Sequence, residues 1–220
     1  PHTPGAVPSG ALDHPLARPS QVGILEAGVV LIQYRDLSPA ELQSLTAVIT
    51  DKVVVGCNET GQLLIYHSDE FGFHNPGGVW RADADVAAVG DSLTLGYCVP
   101  SDRNFVAIIR NRYPLTLNLS SIGNGPLVEL ATMKEYLEPV KPRLVLWCYY
   151  EGNDLENLHV ESRSPLLMRY LTDGFSQGLA IRRADVDRRL AAYAEPLVAE
   201  AAARDASTGR GPSLVARLAG

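Results

Sequence analysis

The chain has 220 residues, 46% of them hydrophobic and 20% charged, enough to bury a substantial core within one domain. Nineteen basic against twenty-five acidic residues give a formal charge of −6, which leaves no basic footprint for binding nucleic acid. Three cysteines, Cys57, Cys98 and Cys148, are an odd number without metal-ligand spacing and indicate neither a disulfide framework nor a zinc site.

Taken in chain order, residues 1–20 are Pro-rich and read as a tail or the remnant of a linker. Residues 21–206 are expected to form one α/β domain. Within it, Ser38-Pro39-Ala40-Glu41 is a capping box with proline at the first helical position, and predicts a short helix running to about Val48. Apolar runs at 53–55 and 63–66, separated by Asn58-Glu59-Thr60-Gly61, predict a hairpin ahead of the main sheet. The run Val86-Ala87-Ala88-Val89 then stops at Gly90 and presents Asp91-Ser92, so a buried strand delivers a serine onto a glycine turn, where a nucleophile is placed.

Two further runs behave alike. Residues 115–121 lead into Ile122-Gly123-Asn124-Gly125-Pro126, and 143–150 lead into Glu151-Gly152-Asn153-Asp154. Between the runs lie two segments of helical spacing. Residues 102–112 would pack Phe105, Ile108 and Ile109 inward with Asp102 as the cap, and 127–137 would bury Leu127, Leu130, Ala131 and Leu137 after Pro126 in the first turn. Cys148, within the third run, reads as a buried strand residue. Past Asp154 a short helix is expected at 165–171, ending at Thr172-Asp173-Gly174, and a long Ala-rich helix at 184–206, bent at Pro196. Arg182, Arg183, Arg188 and Arg189 alternate with Asp185 and Asp187, as on a solvated helix face. Residues 207–220 read as a frayed end, and no apolar run reaches the roughly eighteen residues of a membrane span.

The order strand, helix, strand, helix, strand predicts a parallel sheet, because consecutive parallel strands need a helix-length return. All three polar turns then fall at the carboxyl ends of the strands, the edge where open α/β sheets bind ligands. Ser92, Gly123 and Asn153 are expected to converge there although they lie about thirty residues apart. Asp91 and Asp154 are expected to brace their turns by accepting backbone N–H bonds rather than to act chemically. There is no Walker loop and no Gly-x-Gly-x-x-Gly after a strand, which argues against a nucleotide site.

Gly90-Asp91-Ser92, Asn118-Leu119-Ser120-Ser121-Ile122-Gly123-Asn124-Gly125 and Gly152-Asn153-Asp154 resemble, in order and spacing, the serine, glycine and asparagine blocks of the SGNH, or GDSL-type, hydrolases. The resemblance covers roughly residues 85–158. Upstream, the segment from Tyr66 to Pro76 resembles the one preceding the serine block in a subgroup of bacterial SGNH-like proteins, some related to enzymes of polysaccharide O-acetylation.

The resemblance implies a three-layer α/β/α sandwich around a parallel sheet of SGNH or flavodoxin-like type. It further implies a serine hydrolase or acyltransferase working through an acyl-Ser92 intermediate. The oxyanion would be held by the Ser92 N–H, the Gly123 N–H and the Asn153 side chain. Small-molecule or carbohydrate esters are the implied substrates, with no cofactor or metal.

The family's fourth residue is a histidine, usually three positions after an aspartate, and no Asp-x-x-His occurs here. His2, His14, His67, His74 and His159 do not match its position; His74 reads as a brace at the entry to the first main strand, and His159 as a polar loop residue. The chain is therefore expected to be a fragment that stops before the histidine block. The alternative is a noncatalytic SGNH-like module that binds a carbohydrate or another partner.

Overall fold

The computed structural model describes Thr50, residues 53–55, residues 65–190 and residue 192. The tail at 1–20, the capping-box helix, the turn at 58–61, the remainder of the Ala-rich helix and residues 207–220 lie outside the described residues.

Strands β1 (Val53–Val55) and β2 (Ile65–His67) pair antiparallel with Val54 opposite Tyr66, as the hairpin pattern predicts. The main sheet has three parallel strands, β3 (Val86–Val89), β4 (Thr116–Asn118) and β5 (Leu144–Trp147), in the order β4-β3-β5. Val86 is in register with Thr116 on one side and Leu144 on the other. The first of the three in sequence is thus the central one. Its four residues are all buried, and two are alanines, so neighbouring layers close tightly over it.

Helices α1 (Ser92–Leu95) and α2 (Phe105–Arg110) connect β3 to β4, and α3 (Pro126–Tyr136) connects β4 to β5. After β5 come α4 (Asp154–Glu161), α5 (Pro165–Arg169) and a helical stretch at 183–190, here α6. Proline opens α3 and α5 at the position where a missing N–H is harmless. In the described residues no helix is long and apolar enough to cross a membrane.

Two apolar clusters hold these elements together. Ala87, Val89, Leu117 and Leu119 of the sheet region pack with Phe73, Tyr136, Leu137, Leu179, Val186 and Leu190. Leu127, Val128 and Ala131 of α3 pack with Leu167 and Tyr170. Each fully buried leucine or valine contributes about 1.5–3 kcal/mol of transfer free energy. Glu135 fastens the chain past α5: it accepts hydrogen bonds from Tyr170 Oη at 2.6 Å, Ser176 Oγ at 3.0 Å and Leu179 N at 2.7 Å. On α6, Asp185 pairs with Arg182, Arg188 and Arg189, the solvated charge pattern that the sequence predicts.

Several expectations are corrected. Asn104, not Asp102, caps α2: its side chain accepts from Ala107 N at 2.8 Å, because a turn in which Pro100 O receives the N–H groups of Arg103 and Asn104 delays the helix. The inward residue of α2 is Val106, while Phe105 and Ile108 are 38% and 58% exposed. The inward face also carries Arg110, whose guanidinium is bonded to Thr116 O and Asn75 Oδ1. Cys98 is disulfide-bonded, so the cysteine count accommodates one bridge and one free thiol, Cys148, which is only partly buried.

Candidate functional site

β3 lies between β4 and β5, so the turn after β3 is flanked by the turns after both other strands. Ser92 leaves the central strand, Gly123 follows one neighbour and Asn153 follows the other. Backbone hydrogen bonds join the three ends: Ser121 N donates to Gly90 O at 3.4 Å, and Cys148 N donates to Val89 O at 2.8 Å. Gly90 is needed for this convergence. A Cβ there would overlap Thr94 Oγ1, lie 2.8 Å from Thr94 Cβ, closer than real side chains pack, and press on the Cys148 carbonyl oxygen at 3.0 Å.

Asp91 caps α1, its carboxylate accepting from Leu93 N at 2.9 Å, and Ser92 is the first helical residue, partly exposed. Gly123 has φ +74°, a left-handed conformation that suits glycine, and is exposed within its turn. Asn153 occupies the cap position of α4 without making the capping bond. Its Oδ1 is buried and has no partner. Asp154 instead holds that turn, accepting from Tyr150 N at 2.6 Å. Both aspartates therefore brace their turns as expected.

Three donors at this edge are uncommitted. Among the described residues the Ser92 N–H, the Gly123 N–H and the Asn153 carboxamide find no hydrogen-bond acceptor. Ser92 and Asn153 are partly exposed and Gly123 is exposed, so these donors are open to solvent; the buried unpaired atom here is Asn153 Oδ1, an acceptor.

Behind the turns lies a layer of buried carboxyl groups that the motif reading did not single out. Glu129 of α3 is fully buried; its Oε2 accepts from Trp147 Nε1 at 2.5 Å and its Oε1 has no partner. Burial pushes its pKa up to about 7, and the negative charges of Asp154, Glu161 and Asp91 add to the rise against the Trp147 bond. Burial likewise pushes Glu161 to about 7, opposed by backbone N–H bonds and reinforced by Asp154. Asp154 is raised as well, again by burial first. A polar residue inside the apolar stretch Leu127-Val128-Glu129-Leu130 was the available sequence signal.

No described histidine reaches Ser92. His74 is buried, with Nδ1 3.2 Å from Leu95 O and Nε2 2.9 Å from Ser101 Oγ, and stacks on Tyr66 at 3.8 Å between ring centroids. A carbonyl only accepts, so Nδ1 carries the proton and Nε2 accepts from the serine. Burial lowers its pKa to about 4 and keeps the ring neutral. His74 therefore braces the end of α1 rather than the entry to β3. His159 is exposed on α4 and is bonded through Nε2 to Arg163 at 2.8 Å. Among the described residues no group of three His, Cys, Asp or Glu side chains is arranged to hold a metal ion. The chain matches no family model, no curated protein and no solved structure.

Proposed function

We propose that the chain carries the nucleophile and oxyanion side of an SGNH-type serine hydrolase or acyltransferase acting on small-molecule or carbohydrate esters. The observation that carries this reading is a set of three donors without an acceptor among the described residues, Ser92 N, Gly123 N and the Asn153 amide, on turns that follow three adjacent parallel strands. The packing supports a three-layer α/β/α arrangement. Leu117 and Leu119 share a cluster with Tyr136 and Leu137, whereas Asn118, alternating with them, bonds to the α1 carbonyls of Thr94 and Leu95.

In this reading Ser92 Oγ attacks the ester carbonyl carbon while a base takes its proton. The carbonyl electron pair moves onto oxygen, where the three donors receive it. Collapse expels the alcohol, which takes up the proton, and leaves acyl-Ser92. Water or an acceptor hydroxyl then attacks the acyl carbon and releases Ser92 with its proton. The base comes from outside the described residues.

The absence of a described histidine beside Ser92 favours a second reading, a noncatalytic module that binds an acylated carbohydrate with the same donors. Labelling by an aryl fluorophosphonate separates the two. We expect Ser92 to be modified in this chain or in a form extended at its carboxyl end, and Ser92→Ala to remain unlabelled. If neither form labels or hydrolyses p-nitrophenyl acetate, the hydrolase reading is wrong. Binding of an acetylated oligosaccharide without turnover would then support the module.

A further inference from the structure

We propose that Glu161 is a positioning residue of the oxyanion site, tying the turn that carries Gly123 to the helix that begins at Asn153; this rests on the reading of Ser92, Gly123 and Asn153 as oxyanion donors. Glu161 is 4% exposed, and its carboxylate accepts from Gly125 N at 2.7 Å through Oε1 and from Leu127 N at 2.9 Å through Oε2. These two N–H groups belong to the start of α3, which the helix itself leaves without acceptors. Gly125 sits at the cap position with no side chain to serve them. A carboxylate from another helix takes that role.

One turn nearer the start of α4, Asn157 Nδ2 donates to Asn124 O at 3.4 Å. Residues 153, 157 and 161 recur at intervals of four and so share one face of α4. One rigid rod thus bears the side-chain donor at its beginning and two clamps on the backbone donor's turn further along. Turn and helix touch directly: a Cβ at Gly125 would lie 2.5 Å from Asn157 Cβ and 2.8 Å from Glu161 Oε1. The distance between the Gly123 N–H and the Asn153 amide is therefore set through Glu161 and Asn157. Misplacement of a reacting or stabilising group by about 1 Å lowers a rate roughly 100-fold, so this tie matters to chemistry and not only to folding.

The test combines amide exchange with kinetics on p-nitrophenyl acetate, expressed per Ser92 site titrated with fluorophosphonate and using the carboxyl-extended form if that alone labels. Glu161→Gln keeps the side chain's shape but replaces one acceptor oxygen with a donor facing an N–H. We expect faster exchange across 123–127 and a kcat roughly 10- to 100-fold lower with KM little changed. Asn157→Ala, which removes only the 3.4 Å bond, should move both readouts in the same direction by less, and carries the test if Glu161→Gln does not fold. A kcat per site equal to the parent's while exchange rises makes Glu161 structural only and overturns the proposal, as does unchanged exchange in Glu161→Gln. If the parent shows no reaction beyond that of Ser92→Ala, the oxyanion reading itself fails and the proposal falls with it.

Discussion

The two edges of the main sheet are finished in opposite ways. At β4, the carboxamide of Asn75 stands in for a further strand: Asn118 N donates to its Oδ1 at 2.7 Å and its Nδ2 donates to Asn118 O at 3.0 Å. Asn75 is itself held by Asp69 and Arg110, and Asp69 also accepts from Trp80 Nε1 at 2.6 Å and from the N–H groups of Phe71 and Phe73. At β5, no described strand pairs with the outer side, and Leu144, Val145 and Trp147 are 52%, 39% and 50% exposed. A sheet edge is stable when its backbone groups have partners, and a side-chain amide supplies the geometry of a peptide group. The difference shows that the segment from Tyr66 to Pro76 is an edge cap, and that the Asn153 side of the site stands on the less braced half of the sheet.

The largest expected effect is on the capped edge. Asn75→Leu leaves Asn118 N–H and C=O, Arg110 and Asp69 with unmet bonds in a buried region. Each such group costs about 1–3 kcal/mol, so a loss of at least about 3 kcal/mol is expected in urea unfolding followed by tryptophan fluorescence. A loss below about 1 kcal/mol would mean that the amide merely fills space.

At the other edge the side-chain tie is titratable, because Trp147 is held by Glu129, whose pKa is raised from 4.5 to about 7 by burial and by nearby carboxylates. The folded state then binds a proton more strongly than the unfolded state, so this contribution is present in full below pH 4.5 and is lost as pH rises to 7. Glu161 acts with the same sign. His74, lowered from 6.5 to about 4, acts oppositely, since its unfolded form takes up the proton between those values. The informative quantity is therefore the difference between Glu129→Gln and the parent. The variant should gain stability relative to the parent by a few kcal/mol, on the order of 1.4 per pKa unit, between pH 4.5 and 7, and remain level above that. A difference that does not vary with pH would place the titration elsewhere.

Two asparagines sharpen the contrast further. Asn75 is satisfied and structural; Asn153 is unsatisfied, with a buried Oδ1 that makes no bond. Asn153→Ala should leave the urea midpoint unchanged or slightly raised, yet lower kcat on the order of 100- to 1000-fold if the amide is an oxyanion donor. Equal losses of stability and rate would make it a structural cap.

Local pattern carried much of this architecture and little of its bracing. The strands were legible because each apolar run stops at a turn with a glycine, and α3 because Pro126 opens a stretch with apolar residues at helical spacing, although its buried side also holds Glu129, Thr132 and Glu135. The inward face of α2 was not, since apolar periodicity does not anticipate a partly buried Arg110 that satisfies a strand carbonyl. The exposure of β5 was hidden for the same reason: an apolar run says that a strand suits an interior, not that an interior surrounds it. Positions 92, 123 and 153 were legible as turn residues at one edge. Glu161 was not, because its partner amides lie 36 and 34 residues away and no local spacing links them.

The smallest expected effect concerns the outer side of β5, which no described strand covers. Val145 is 39% exposed on β5, and the methylene stem of a lysine there can cover much of the surface the valine covers, so urea unfolding should change by no more than about 1 kcal/mol. Its consequence should instead be intermolecular. An unpaired strand with exposed apolar residues templates pairing with other chains, and an edge lysine opposes it by charge and desolvation. Sedimentation velocity over rising concentration should show the parent self-associating more than Val145→Lys, whereas a lysine placed at exposed Ile108 on α2 leaves association at the parent's level. If both lysines reduce association equally, net charge rather than the β5 edge governs it, and the two edges differ in structure without differing in behaviour.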